Sequence, residues 1–215
     1  MLSSLTGAPC HDAVPAAPAP LIAGIVLAAG LSRRMGQPKL LLPLAGRAVV
    51  RHATERLLTA GLDPVIVVVG AEREAIESAL DGLPVRIAVN PRPEAGQAGS
   101  VRSGIGSVPP EVEGALVALG DQPFVAPHVI AGLLEAWRAS GKSIAAPRYR
   151  DGLGNPVVFR LDVFPELASL DGDRGARAMI ERDPGRVALV EFDVAMPGDV
   201  DTPEDYDRLR SERPV

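Results

Sequence analysis

The chain has 215 residues, 47% of them apolar and 23% charged, with a net charge of −5. That balance excludes a wholly disordered chain, because the apolar surface is enough to offset ordering entropy, and it gives no general attraction to nucleic acid or an anionic membrane. No run reaches the roughly 20 apolar residues that span a bilayer, the single cysteine, Cys10, has no partner for a disulfide or thiolate cluster, and 3% aromatic residues leave no stacking platform for single strands.

Residues 1–20, rich in Ala and Pro and without a period, predict a flexible tail. They carry no basic n-region or continuous apolar h-region, so no secretory signal is expected and the protein is read as cytoplasmic. Cys10 and His11 belong to this solvated tail rather than to a metal site. From Leu21 to Ala28 a continuous apolar run predicts a strand buried on both faces. A helix follows over Ala48 to Ala60, with Val49, Val50, Ala53, Leu57 and Leu58 on one face and Gly61 at its C-terminal end. Pro64 to Val69 reads as a second buried strand, Glu72 to Leu80 as a helix and Val85 to Val89 as a third strand. Val101 to Val108 predicts a short helix, and Ala115 to Leu119 a fourth strand ending at Gly120. Pro127 to Ser140 is a helix with Pro in its first turn. Ser143 to Ala146 and Pro156 to Phe159 are short strands, Asp173 to Arg182 a helix and Val187 to Phe192 a last strand. Thr202 to Arg210 closes the chain as a helix, with Thr202 as N-cap and Pro203 at the first helical position. Regular alternation of strand and helix predicts one α/β domain over residues 21–215 with a mostly parallel sheet. Ligands of such sheets bind beyond the carboxyl ends of the strands.

Three loops at those ends carry the chemistry. The first runs from Ala28 through Gly30, Arg33, Arg34 and Gly36 to Lys39. Two glycines allow close backbone approach, and three cations within seven residues suit a polyphosphate. The spacing is neither a Walker A loop nor the dinucleotide fingerprint. Of 22 basic residues only Lys39 and Lys142 are lysines. The second loop, Gly120-Asp121-Gln122-Pro123, puts a carboxylate at the end of a central strand, where it can hold Mg²⁺ against a phosphate. The third, from Asn90 to Gly104 and including Gly99 and Ser100, is small-residue-rich and suits a base or ribose lying on the backbone. Each loop alone also reads as an ordinary turn. Near the C-terminus, Gly172, Asp173, Gly175 and Arg177 surround a helix start, and Asp199 and Asp201 precede the capped helix. Being two apart in an extended segment, these two carboxylates are expected to face the same side. His52 and His128 read as structural or exposed rather than catalytic, Trp137 as core, and no covalent catalytic pairing is suggested.

Together the segments LAAGLSRRMGQPKLLLPL from Leu27, GQAGSVRSG from Gly96, GDQP from Gly120, GNPVVF from Gly154, GDRGAR from Gly172 and DVDTPEDY from Asp199 resemble the molybdenum cofactor nucleotidyltransferases. These lie within the nucleotide-diphosphate-sugar transferase superfamily, and the nearest likeness is to the cytidylyltransferases. The resemblance implies a three-layer α/β/α, Rossmann-like fold. It implies that Leu27, Ala28, Ala29, Gly30 and Gly36 contact the nucleotide, with Asn90, Gly99 and Ser100 towards the base, and that Arg34 and Lys39 hold the phosphates. Asp121 would bind Mg²⁺, joined by Asp199 or Asp201, of which the superfamily pattern favours Asp199. Gly154, Asn155, Pro156, Gly172, Asp173, Gly175 and Arg177 would border the pterin. Many relatives carry His where this chain has Asn155, and Ala29 matches the cytidylyl rather than the guanylyl branch. The implied reaction transfers CMP from CTP to the terminal phosphate of molybdopterin and releases pyrophosphate. A molybdenum hydroxylase or its chaperone is the implied downstream partner, and a monomer is expected. Two other readings remain at this point: the same fold working with GTP or on a sugar or alcohol phosphate, and a non-catalytic module that delivers the cofactor.

Overall fold

A computed structural model describes residues 21–170, 172 and 177–211. The predicted tail and the start of the helix expected from Asp173 lie outside these residues. Strand β1 (Ile22–Ala28) leads into a small hairpin, β2 (Pro43–Leu44) and β3 (Arg47–Ala48), and helix α1 (Val49–Thr59). Then come β4 (Val65–Val69), α2 (Arg73–Ala79), β5 (Val85–Val89), α3 (Gln97–Ile105), β6 (Gly114–Leu119) and α4 (Pro127–Ser140). The remainder is β7 (Ile144–Tyr149), β8 (Gly152–Leu153), β9 (Val157–Arg160), α5 (Phe164–Ala168), α6 (Arg177–Arg182), β10 (Val187–Glu191) and α7 (Pro203–Ser211).

The main sheet runs β10-β7-β9-β6-β1-β4-β5, with β8 paired to β7. Pairings of β1 with β4 and β6, of β4 with β5 and of β7 with β10 are parallel. Strand β9 runs antiparallel between β6 and β7, so the sheet is mostly rather than wholly parallel. Period-two side-chain direction divides each central strand between two cores. Val65, Val67 and Val69 of β4 face the layer that holds Val50, Leu57, Leu133 and Trp137. Ile66 and Val68 face the other, with Val101, Ile105 and Leu167. Both faces are covered, which is why these strands read as unbroken apolar runs.

Several details differ from the expectation, including the short β8 and α5, which no sequence signal announced. Helix α3 starts at Gln97, not Val101. Its first turn buries only the small Ala98 and Ser100 and contains Gly99, so large-residue spacing gives no signal there. The hairpin turns through Ala45 and Gly46, both with positive φ (48° and 81°), as a two-residue turn requires. Strand β7 continues to Tyr149, beyond the expected Ala146. Other expectations stand. Trp137 is 1% exposed. His52 Nε2 bonds the Leu44 carbonyl at 2.6 Å. The Asp205 N–H donates to Thr202 Oγ1, while Thr202 N–H and Oγ1–H donate back to Asp205, which fixes the start of α7.

Helix α3 seats on the sheet through Gly104. A Cβ added there would lie 2.7 Å from Ile25 Cγ2 and 3.1 Å from Val68 Cγ2, both on fully buried side chains. Gly104→Ala should therefore lower stability by about 1–3 kcal/mol through overpacking. Urea unfolding checks this: the midpoint should fall with the slope unchanged. An unshifted midpoint would show that the helix moves freely on the sheet.

Candidate active site

Strand β1 sits where the chain's sheet order reverses. It goes from β1 to β4 and β5 on one side, then returns to β6 on the other. Loops leaving β1 and β6 therefore diverge and open a crevice. The strand ends themselves stay close: Gly120 N–H donates to the Leu27 carbonyl at 2.9 Å, and a Cβ at Gly120 would lie 2.9 Å from that oxygen. Only glycine permits that approach.

The loop after β1 is pinned at both ends. Met35 and Gly36 N–H groups donate to the Ser32 carbonyl, and Met35 is buried. Ser32 (φ 49°) and Gly36 (φ 68°) take left-handed conformations. Lys39 N–H donates to Ser32 Oγ at 3.2 Å and opens a single 3₁₀ turn, Lys39–Leu41, whose Leu40 is buried. The Lys39 backbone is thereby fixed, and its ammonium points across the crevice.

There it meets two carboxylates. Lys39 Nζ donates to Asp121 Oδ2 at 2.5 Å and to Asp201 Oδ1 at 2.7 Å. Arg34 Nη2 donates to Asp201 Oδ2 at 2.8 Å. The two cations differ in setting: the Lys39 side chain is 11% exposed and that of Arg34 71%. Burial alone would lower the Lys39 pKa, but Asp121 and Asp201 together outweigh it and hold the ammonium above its ordinary value.

Asp199 stands beside this cluster. Val200 between the two aspartates is fully buried, and its N–H donates to the Asp121 carbonyl at 3.0 Å. Asp201 lines the cleft, whereas Asp199 is not part of its lining and bonds Gln122 instead, so the two do not share one set of partners as their spacing suggested. Gln122 Nε2 donates to Asp199 Oδ1 at 2.7 Å, while Gln122 Oε1 is buried with no hydrogen-bond partner among the described residues. Burial first, then the charges of Asp121 and Asp201, raise the Asp199 pKa against the lowering effects of Gln122 and Lys39.

The cleft encloses about 450 Å³. Leu27, Ala29, Gly30, Arg34, Lys39, Ser100, Asp121 and Asp201 all line it, as do the unpredicted Glu94 and Gln97. Ala28 and Gly36 line an adjoining hollow of about 300 Å³ that reaches Glu72. Asn90 and Gly99 lie behind Ser100: Asn90 Nδ2 donates to Ser100 Oγ, and a Cβ at Gly99 would meet Asn90 at 3.3 Å. Asn90 Oδ1 also accepts from Arg92 N–H, so this amide supports the loop from within.

The expected acceptor residues are less gathered. Gly154 packs on the Tyr149 ring, and the Tyr149 hydroxyl donates to the Asn155 carbonyl at 2.6 Å; Gly154, Asn155 and Pro156 are not part of the cleft lining. The Gly172 carbonyl accepts from Ala98 N–H in the first turn of α3. Arg177 pairs with Glu181 one turn on. Asp173 and Gly175 lie outside the described residues.

Asp121, Asp199 and Asp201 carry hard oxygen donors of the kind a divalent ion takes. Two of them converge on the Lys39 ammonium, itself a cation at their focus. Among the described residues no three His, Cys, Asp or Glu side chains surround a ready-made metal position. The donor chemistry fits a divalent ion, provided the ammonium gives way. No helix among the described residues is long and apolar enough to cross a membrane.

A family described as the MobA-like NTP transferase domain matches residues 24–187. The chain is 35% identical over 198 residues to "Nicotine blue oxidoreductase" of Paenarthrobacter nicotinovorans, covering 88% of this chain and 97% of that one. It is 30% identical over 207 residues to "Probable molybdenum cofactor guanylyltransferase" of Natronomonas pharaonis, covering 87% and 96%. Among solved structures, Rv0371c of Mycobacterium tuberculosis in complex with manganese superimposes with a TM-score of 0.76 at 34% identity, covering 90% of this chain and all of that one.

The raised Asp199 carboxyl gives a stability test. Folded, it holds its proton to higher pH than it does unfolded. Between the unfolded and folded pKa values the native state binds more protons, so stability falls as pH rises through that window. Asp199→Asn keeps an acceptor for Gln122 and removes the unfavourable charge. The variant should melt at higher temperature than the parent at neutral pH in chelator, and the gain should vanish below about pH 4, where the parent carboxyl is protonated in both states. A lower melting temperature at neutral pH would assign Asp199 a net stabilising role.

Proposed function

The chain is a nucleotidyltransferase of the MobA-like NTP transferase family, and on that premise we propose that it transfers CMP from CTP to the terminal phosphate of molybdopterin, with Mg²⁺ as its cation. The carrying observation is the meeting of Lys39 and Arg34 with Asp121 and Asp201 in one cleft at the carboxyl ends of β1 and β6. Cations for phosphates and oxygen donors for a divalent ion stand within one side-chain length of each other.

The acceptor phosphate needs no general base, since its second pKa is about 6 and it is largely ionised near neutrality. It attacks the α-phosphorus, and pyrophosphate leaves. The protein's work is positional and electrostatic. Lys39 supplies a compact charge to the phosphates that leave, and Arg34, more exposed, reaches the same phosphates from the mouth. The loop from Ala28 to Gly36 presents backbone N–H groups to them, and Ser100 on α3 faces the sugar and base. Bound through Asp121, Asp199 and Asp201, Mg²⁺ would offset charge on the bridging phosphates. Gly154, Asn155, Pro156, Gly172 and Arg177 are assigned to the pterin side. The choice of CTP over GTP rests on Ala29, in a family where a relative is named a guanylyltransferase. Delivery of the product to a molybdenum hydroxylase is the implied next step.

Pyrophosphate release with molybdopterin as acceptor, run with CTP, GTP and ATP side by side, tests the reading. CTP should support the fastest turnover, and turnover only with a sugar or alcohol phosphate would replace the acceptor. Charge builds on the leaving phosphates in the transition state, so Lys39→Ala should lower kcat about 10²–10³-fold, the scale for losing one preorganised donor. CTP binding measured by titration should weaken less. Lys39→Arg should recover part of the rate, because a planar fork replaces a point charge. Asp121→Asn should remain folded and lose most turnover. A Lys39→Ala enzyme with intact kcat and a raised CTP requirement would make Lys39 a ground-state anchor.

A further inference from the structure

Lys39 has two duties at one atom. Its Nζ spends two of three ammonium donors on Asp121 Oδ2 and Asp201 Oδ1. Those carboxylates are also the oxygen donors for a divalent cation, while the same ammonium is the charge for the nucleotide's phosphates. One donor is left, so full engagement of the phosphates competes with the two carboxylate bonds. The backbone of Lys39 is fixed by Ser32 and the 3₁₀ turn, so only the flexible four-carbon stem is free to swing. Arg34 fills the second oxygen of Asp201. A divalent cation arriving alone therefore meets carboxylates already bonded, and two positive charges beside them. A polyphosphate entering the cleft offers both cations a denser anion than a single carboxylate.

Resting on the nucleotide and cation reading above, we propose that Lys39 gates the cation site: without nucleotide its ammonium occupies Asp121 and Asp201, and the phosphates of a bound nucleotide draw it off and open those carboxylates to the metal. Nucleotide and divalent cation are then coupled through one side chain, and the coupling is reciprocal. The gate also keeps a negatively charged cluster neutralised while the cleft is empty of substrate.

The probe is Mn²⁺, titrated against the full-length protein and followed by the paramagnetic resonance signal of the free ion. The proteins compared are the parent, Lys39→Met, Lys39→Gln and Arg33→Met. Methionine and glutamine remove the ammonium in two ways, so a folding failure of one leaves the other. Arg33 lines the same cleft, and among the described residues it makes no bond to either carboxylate. Its variant removes an equal charge without vacating them. Without nucleotide, the two Lys39 variants should bind Mn²⁺ about tenfold tighter than the parent or more, within the usual span of site-to-site coupling, and Arg33→Met should stay close to the parent. Adding CTP should tighten Mn²⁺ binding by the parent by a larger factor than by Lys39→Met. Equal Mn²⁺ affinity of parent and Lys39 variants overturns the gate, as does an equal gain in Arg33→Met, which would reduce the effect to general charge. In both cases Mn²⁺ still binds, and the proposed function stands. If no variant binds Mn²⁺ even with CTP, GTP or ATP, the cation reading falls and the gate with it.

Discussion

The contact of the Lys39 ammonium with Asp121 and Asp201 organises the molecule's chemistry. It joins three parts of the chain 82 and 162 residues apart in sequence: the loop after β1, the end of β6 and the segment before α7. Without it Asp121 would lose its ion pair, and Asp201 would keep Arg34 as its partner among the described residues. Along the cleft lining Arg33, Arg34 and Lys39 stand against Glu94, Asp121 and Asp201, with Asp199 bonded to Gln122 beside them. Burial first, then the charges of Asp121 and Asp201, push the Asp199 carboxyl up. A polyphosphate entering such a balanced cleft would bring charge that a further cation would offset, which is the electrostatic ground for coupling the proposed metal to the proposed nucleotide.

The sheet makes this contact possible. Parallel strands β1 and β6 deliver their loops to the same edge, and the absence of a Cβ at Gly120 keeps the strand ends in contact, so Lys39 and Asp121 start a side chain's length apart. The last segment reaches the same edge by a different route. Val200 is buried and bonds the Asp121 carbonyl, which places Asp199 and Asp201 on either side of it. Gln122 then ties Asp199 back to the loop after β6. The acidic cluster is therefore held by one apolar anchor and one amide.

Most strands were legible because burial on both faces leaves an unbroken apolar run, and no other local signal competes with it. The start of α3 was not, because Ala98, Gly99 and Ser100 carry no large side chain for periodicity to register. The antiparallel course of β9 was hidden for a different reason: strand direction depends on how the chain returns, and the four residues of β9 say nothing of that. Among site residues, Lys39, Arg34 and Asp121 stood out through charge placed next to glycine at strand ends. Gln122 lay in a segment already singled out, yet its hold on Asp199 spans 77 residues and no spacing rule reaches so far. Glu94 and Gln97 lay inside the third segment, Asn90 to Gly104, but a polar side chain there looks the same in sequence whether it lines a cleft or meets solvent.

Scarcity was a useful signal only when joined to position. With 20 of 22 basic residues arginine, both lysines drew equal notice. Lys142 proves structural: its Nζ donates to the Val187 carbonyl and ties the start of β7 to the start of β10. Lys39 differs in having carboxylates, not a carbonyl, at its tip. A carbonyl partner fixes a lysine, since nothing in the cleft competes for a neutral acceptor at that place. Carboxylate partners leave it exchangeable, because a phosphate is the same kind of partner with more charge. An arginine at position 39 would grip a carboxylate through a rigid two-pronged fork and surrender it less readily. A chain that uses arginine almost everywhere else and lysine here thus places its one compact, easily redirected cation at the point where a cation has to change partners.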